Sequence, residues 1–177
     1  LVTPDAERSM NTFLGASIKF NINSFDERYI TNSSMIYIEG YLFDQPEAKE
    51  AIYNCCILAK SHDKKIALSL SDLFCVDRHR IDFLNLIDKY VDIIFANEDE
   101  IKSLYQSELK PSINNIKKNV DVGAITLGSK GSIVFENKDE YHIDPISVVE
   151  LVDTTGAGDL FASGFLFSYI NNYSIEK

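Results

Sequence analysis

The sequence predicts an α/β fold organised on a largely parallel sheet, and three observations point to it. Apolar runs of strand length alternate with helix-period patterns from one end to the other, as in layered βα units. The apolar runs close on glycine or small polar residues, where strands feed turns and helices. No repeat, low-complexity tract or charged linker interrupts the alternation, so residues 1–177 read as one domain.

In chain order, Leu1-Val2-Thr3 reads as strand interior. A short apolar strand over 35–38 ends at Glu39-Gly40, and a helix over 46–60 follows with Pro46 placed in its first turn. The next strand, 66–70, ends at Ser71-Asp72; residues 78–89 then show helical spacing through Ile81, Leu84 and Ile87. A third strand, 91–95, runs into Asn97, which reads as the N-cap of a helix opening Glu98-Asp99-Glu100. A fourth strand, 121–127, closes on Gly128-Ser129-Lys130-Gly131. Strands 132–135 and 140–143 read as a hairpin, and the last helix runs from Ala157 to about Asn171. Ser174 to Lys177 follow that helix without a closing element, so the sequence reads as a piece of a longer chain.

With 45% hydrophobic and 25% charged residues the composition is that of an ordinary globular protein. Seventeen basic against 27 acidic residues give a formal charge of −10, which argues against nucleic acid and anionic membranes as partners. That balance leaves room for a nucleotide in a locally positive pocket. Cys55 and Cys56 are adjacent, Cys75 stands alone, and His62, His79 and His142 are scattered. This spacing suits neither a disulfide nor a zinc site, and the thiols read as small buried hydrophobes in a reducing compartment. The most apolar stretch, 161–170, is too short to span a bilayer, and no signal peptide is visible; a cytoplasmic location is expected.

Three segments carry chemistry. The first is Asp153-Thr154-Thr155-Gly156-Ala157-Gly158-Asp159 at a loop-to-helix junction. Small residues there let backbone N–H groups approach a phosphate, and a helix N-terminus adds positive potential. Asp159 then has two readings. It complements the helix dipole while Thr155 caps the helix, or it takes a proton from an attacking hydroxyl. A dinucleotide fingerprint is excluded because its third glycine would fall on Phe161; a Walker A loop is excluded because Gly128 is followed by Ser129-Lys130 in the wrong order. The second segment, Asn97-Glu98-Asp99-Glu100, is a helix cap on local physics or a set of oxygen ligands for a hard cation. The third, Thr126-Leu127-Gly128-Ser129-Lys130-Gly131, is a glycine turn opening a hairpin or a phosphate contact.

Together, and in this order, the three segments resemble the ribokinase (PfkB) family of small-molecule kinases, over essentially the whole chain. The resemblance implies a three-layer ribokinase-like fold, here incomplete, with a mostly parallel sheet flanked by helices. It implies that Gly156, Ala157 and Gly158 form an anion hole and that Asp159 is the catalytic base. Asn97 and Glu100 would organise Mg2+ and phosphate, the glutamate through water, while Thr126, Gly128 and Gly131 would contact ATP. Asp153, with Thr155, would border a monovalent-cation (K+) site of the kind some members carry. The acceptor implied is a sugar or nucleoside, and family lids often pair into homodimers. A catalytically silent nucleotide-binding homologue is the alternative. Softer matches are the stretch 4–12, with Ala6 at a common glycine, and the strings Glu39-Gly40-Tyr41-Leu42 and Ser71-Asp72-Leu73-Phe74. Arg8 and Asn11 read equally as substrate contacts or as turn residues, and Arg78-His79-Arg80 as a solvated helix start.

Overall fold

The computed structural model describes residues 1–4, 9–147 and 151–175; residues 5–8, 148–150 and 176–177 lie outside the described set, Arg8 among them. A short helix α1 (Glu27–Thr31) leads into β1 (Met35–Glu39), followed by α2 (Pro46–Ser61) and β2 (Lys65–Ser69). Then come α3 (Leu73–Lys89), β3 (Ile93–Asn97), α4 (Glu98–Tyr105), α5 (Leu109–Ile116) and β4 (Val122–Thr126). The hairpin β5 (Ser132–Glu136) and β6 (Asp139–Ile143) follows, and α6 (Ala157–Ile170) ends the series. The six strands form one sheet in sequence order, β1 to β4 parallel and β4, β5 and β6 antiparallel.

Side chains alternate across this sheet with the strand period of two. Ile66, Leu68, Ile94, Ala96 and Ile125 face the buried cluster shared with α2, α3, α4 and α5. Ala67, Ile93, Phe95, Val122 and Ala124 face the other way, against Ala162, Phe165, Leu166 and Tyr169 of α6. The molecule is therefore an α/β sandwich of helices, mixed sheet and helix. Among the described residues no helix is long and apolar enough to cross a membrane.

Several boundaries differ from the sequence reading, each for a local reason. Helix α3 starts at Leu73 because Asp72 caps it, its Oδ1 accepting from the Cys75 amide at 2.6 Å; a non-helical residue, His79, then kinks the helix where the sequence reading began it. The helix after Asn97 is two helices, because Gln106 takes a left-handed φ of 48° and ends α4. Leu1-Val2-Thr3 is not a strand: Val2 makes an isolated bridge, with Leu1 and Ser9 exchanging main-chain hydrogen bonds at 2.9 Å.

Register places the ends of the parallel strands at one edge, since Glu39 lies beside Ser69, Ser69 beside Phe95, and Asn97 beside Thr126. Gly40 makes this edge tight. A Cβ there would sit 2.8 Å from the Leu70 carbonyl oxygen, 3.0 Å from that of Ser69 and 3.0 Å from the Phe83 ring. Two of those three neighbours are backbone, so Gly40→Ala is expected to cost about 2 kcal/mol by overpacking. Urea unfolding of the full-length protein measures it; a change below about 0.5 kcal/mol would show that the edge yields.

Candidate active site

A cleft of about 420 Å³ opens where the parallel strands end. Ligands in open α/β sheets bind at this kind of edge, beyond the carboxyl ends of the strands. Its lining comes from β1 (Glu39) and Tyr41 after it, from β2 (Ser69) and Ser71 after it, and from Phe95, Ala96 and Asn97 of β3. Glu100 of α4 and Thr126 of β4 continue it, and Thr154 to Asp159 with Phe161 close the far wall. Asn97, Glu100, Thr126, Gly156, Ala157, Gly158 and Asp159, far apart in the chain, thus share one cavity. Gly128, Gly131 and Asp153 do not line it.

The far wall is the start of α6. Gly156 is its N-cap with φ 75°, a left-handed conformation that suits glycine, and no side chain caps the helix. Thr155, read as a cap from the sequence, is engaged elsewhere: its amide and hydroxyl both donate to Asp153 Oδ1, at 2.8 and 2.7 Å. The Ala157 amide donates to the Thr154 carbonyl at 3.1 Å. Among the described residues the amides of Gly156, Gly158 and Asp159 have no protein acceptor. Unsatisfied donors at a helix N-terminus make a ready anion site. The open donors thus differ by one residue from the set inferred for the anion hole, with Asp159 in place of Ala157, whose amide is turned into the loop. The Asp159 carboxylate lies back over this wall, 3.8 Å from where a Cβ on Gly156 would stand.

The middle of the floor is a capping box. Asn97 Oδ1 accepts from the Glu100 amide at 2.8 Å, while Glu100 accepts from the Asn97 amide at 2.9 Å and from Asn97 Nδ2 at 2.7 Å. The box ordinarily sits in water, yet Glu100 is 5% exposed. Burial, with Asp72, Asp99 and Glu39 nearby, pushes its carboxyl up to about 7 despite the Asn97 hydrogen bond. Among the described residues neither Glu100, Glu39 nor Asp159 has a Lys, Arg or His within ion-pair distance.

The near wall holds residues that sequence reasoning did not assign. Glu39 Oε2 accepts from the Ser71 hydroxyl at 2.8 Å, the same hydroxyl accepts from the Tyr41 amide at 3.3 Å, and the Tyr41 phenol donates to the Ser71 carbonyl at 3.3 Å. Their strings matched the family pattern softly, but nothing in the sequence joined Glu39 to Ser71. Ser69, Phe95 and Phe161 carried no signal at all. Gly128 opens a 3-10 turn (Gly128–Lys130) beyond the cleft rim. A Cβ on Gly131 would stand 2.0 Å from the Ile143 carbonyl oxygen, so hairpin packing accounts for that glycine.

Similarity to known proteins agrees with this geometry. The chain is 30% identical over 189 residues to an adenosine kinase of Dictyostelium discoideum, covering 97% of this chain and 55% of that protein. A probable sugar kinase from Rhizobium etli superposes with a TM-score of 0.95 at 43% identity, over 99% of this chain and 54% of the other. An adenosine kinase from Sinorhizobium meliloti superposes with the same score at 40% identity and the same coverage. The chain therefore spans about half the length of these relatives. The profile of the pfkB family carbohydrate kinases matches residues 1–177 end to end, and the chain belongs to that family.

Proposed function

We propose that the full-length protein is an ATP-dependent kinase that transfers the γ-phosphoryl group to a hydroxyl of a sugar or nucleoside. The observation that carries this reading is the pairing, in one cleft, of open amides at the start of α6 with the carboxylate of Asp159. In the reaction the acceptor oxygen bonds to the γ-phosphorus, the β–γ bridging P–O bond breaks, the hydroxyl proton passes to Asp159, and ADP leaves. The Gly156, Gly158 and Asp159 amides are suited to the charge on the transferred group, and positioning with electrostatics supplies most of such catalysis. Thr126 and the turn holding Gly128 and Gly131 stand towards β4, the side assigned to the nucleotide.

A magnesium ion fits the residues present. Among the described residues Glu100 is a buried carboxylate with acidic neighbours and no protein cation, and no group of three or more His, Cys, Asp or Glu forms a cage. That donor set suits a hard cation that keeps its waters and is held jointly by phosphate, with Asn97 and Glu100 on the protein side. Held there, the ion would offset the negative charge of the phosphates. Asp153 and the Thr155 turn are the place for a K+ ion beside the helix start. The three free thiols, Cys55, Cys56 and Cys75, accord with a cytoplasmic setting.

The test is phosphorylation by the full-length protein of adenosine, other nucleosides, ribose and fructose with Mg·ATP, in potassium and in tetramethylammonium buffers. Conversion of at least one acceptor is the expected result, faster in potassium. Binding of Mg·ATP without transfer to any acceptor would leave a nucleotide-responsive binding protein instead, and equal rates in both buffers would remove the K+ site.

A further inference from the structure

The near wall of the cleft has an unusual turn at its centre. Ser71 carries a left-handed φ of 72°, and the flanking Asp72 amide donates to the Leu70 carbonyl at 3.0 Å, closing a three-residue γ-turn around it. Such turns are rare and strained in L-residues, and strain of this kind persists only where its surroundings over-determine it. Here they do. Asp72 caps α3 on one side, the Ser71 amide donates to Ser69 Oγ at 3.3 Å on the other, and Tyr41 grips Ser71 through its amide and its phenol. Glycine would take this conformation without strain. The chain has serine, whose hydroxyl does two things glycine cannot: it accepts from the Tyr41 amide at 3.3 Å and donates to Glu39 Oε2 at 2.8 Å, tying the turn after β2 to β1.

We propose that Ser71 is a positioning residue for acceptor binding, fixing the Glu39 carboxylate so that its remaining lone pairs receive hydroxyls of a polyol ring. The proposal rests on the kinase reading above and adds an acceptor end to the cleft. Phosphate-binding groups occupy the β3, β4 and α6 side, with Asn97, Glu100, Thr126 and the open amides. Within the part of the cleft this chain forms, the β1 and β2 side, with Glu39, Tyr41, Ser69 and Ser71, is left for the second substrate. A carboxylate offers about four acceptor sites; Ser71 fills one and the Tyr37 phenol, which also hydrogen-bonds Glu39, a second. With no Lys, Arg or His within ion-pair distance among the described residues, Glu39 is matched by neutral donors, which vicinal hydroxyls of a sugar or of a nucleoside's ribose supply. A carboxylate left to swing would lose rotamer entropy on each binding event; the Ser71 bond removes that cost beforehand. Gly40 serves the same end, since its missing Cβ lets the chain after Glu39 press against the Ser69 and Leu70 carbonyls.

The experiment uses the full-length protein and Ser71→Gly, Glu39→Gln and the double variant, with adenosine and ribose as probes in titration calorimetry and steady-state kinetics. Ser71→Gly relieves the left-handed φ but removes two hydroxyl hydrogen bonds and adds freedom to the unfolded chain, so its unfolding midpoint should shift by only a few degrees. Acceptor affinity should nevertheless fall about tenfold, the scale of a hydrogen bond to a charged group. Acceptor KM should rise likewise, with ATP KM unchanged and kcat within about threefold. The double variant should bind acceptor no more weakly than Glu39→Gln alone, because the two act as a unit. Unchanged acceptor affinity in Ser71→Gly, additive losses, or failure of the wild type to bind either probe would each overturn the proposal. Ser71-dependent binding without transfer would uphold it and overturn the kinase reading; transfer with a wild-type acceptor KM in Ser71→Gly would do the reverse.

Discussion

Asp159→Asn in the full-length protein is expected to lower kcat by about a thousandfold while leaving Mg·ATP affinity within about twofold. Two roles compete for this residue, and they differ in magnitude. As a first-turn acid complementing the α6 dipole, Asp159 would contribute about 0.5 kcal/mol to stability and nothing to turnover. As general base it takes the acceptor proton, and loss of a positioned base typically costs 10²–10⁴ in rate. The substitution keeps the side-chain shape and the open amide at residue 159, so the anion site survives it. Single-turnover transfer from labelled ATP measures the step. A drop of less than about tenfold would return Asp159 to the helix-dipole role and point to another carboxylate of the cleft as the base.

How much of this was legible in the sequence depends on whether a feature is written locally. The strands and most helices were, because burial on two faces imposes runs and periods that survive in the sequence. The start of α6 was legible because it is one contiguous string. Its hydrogen bonding was not: nothing in Thr154-Thr155-Gly156-Ala157 says that the Ala157 amide turns back to Thr154 or that Thr155 bonds Asp153. The split between α4 and α5 left no mark, since Gln106 ends the helix in a conformation usually signalled by glycine or asparagine. The start of α3 was misplaced because Leu73-Phe74-Cys75 continues an apolar run past the Asp72 cap. The near wall was least legible. Glu39 and Ser71 are 32 positions apart and meet because parallel register sets Glu39 beside Ser69. Short polar residues at strand ends have no period, so only topology brings them together.

In chelator, Glu100 is expected to make the protein less stable as pH rises from about 4.5 to about 7, with little further loss above that. Its carboxyl is held up to about 7 in the folded state by burial first and by Asp72, Asp99 and Glu39 next, against 4.5 unperturbed. Between those values the folded chain binds more protons than the unfolded one, so unfolding free energy falls with pH across the window. The full difference is on the order of 3 kcal/mol, a large share of a typical domain's stability. Glu100→Gln keeps the acceptor for the Asn97 amide and cannot ionise. Urea unfolding of both proteins at pH 5, 6, 7 and 8 should show the variant gaining on the wild type at each step up to about pH 7. Parallel pH profiles would show that water or Asn97 already stabilises the charge in full. The same imbalance bears on function. Burial favours the protonated form of this carboxylate in the floor of a cleft proposed to bind a nucleotide, where a full negative charge would oppose a triphosphate. With Asn97 and Glu100 holding a cation as proposed, the charged form of Glu100 would be favoured instead. The capping box that holds Glu100 in place would then do two jobs, closing the start of α4 and keeping an oxygen ligand ready for the metal that accompanies phosphate.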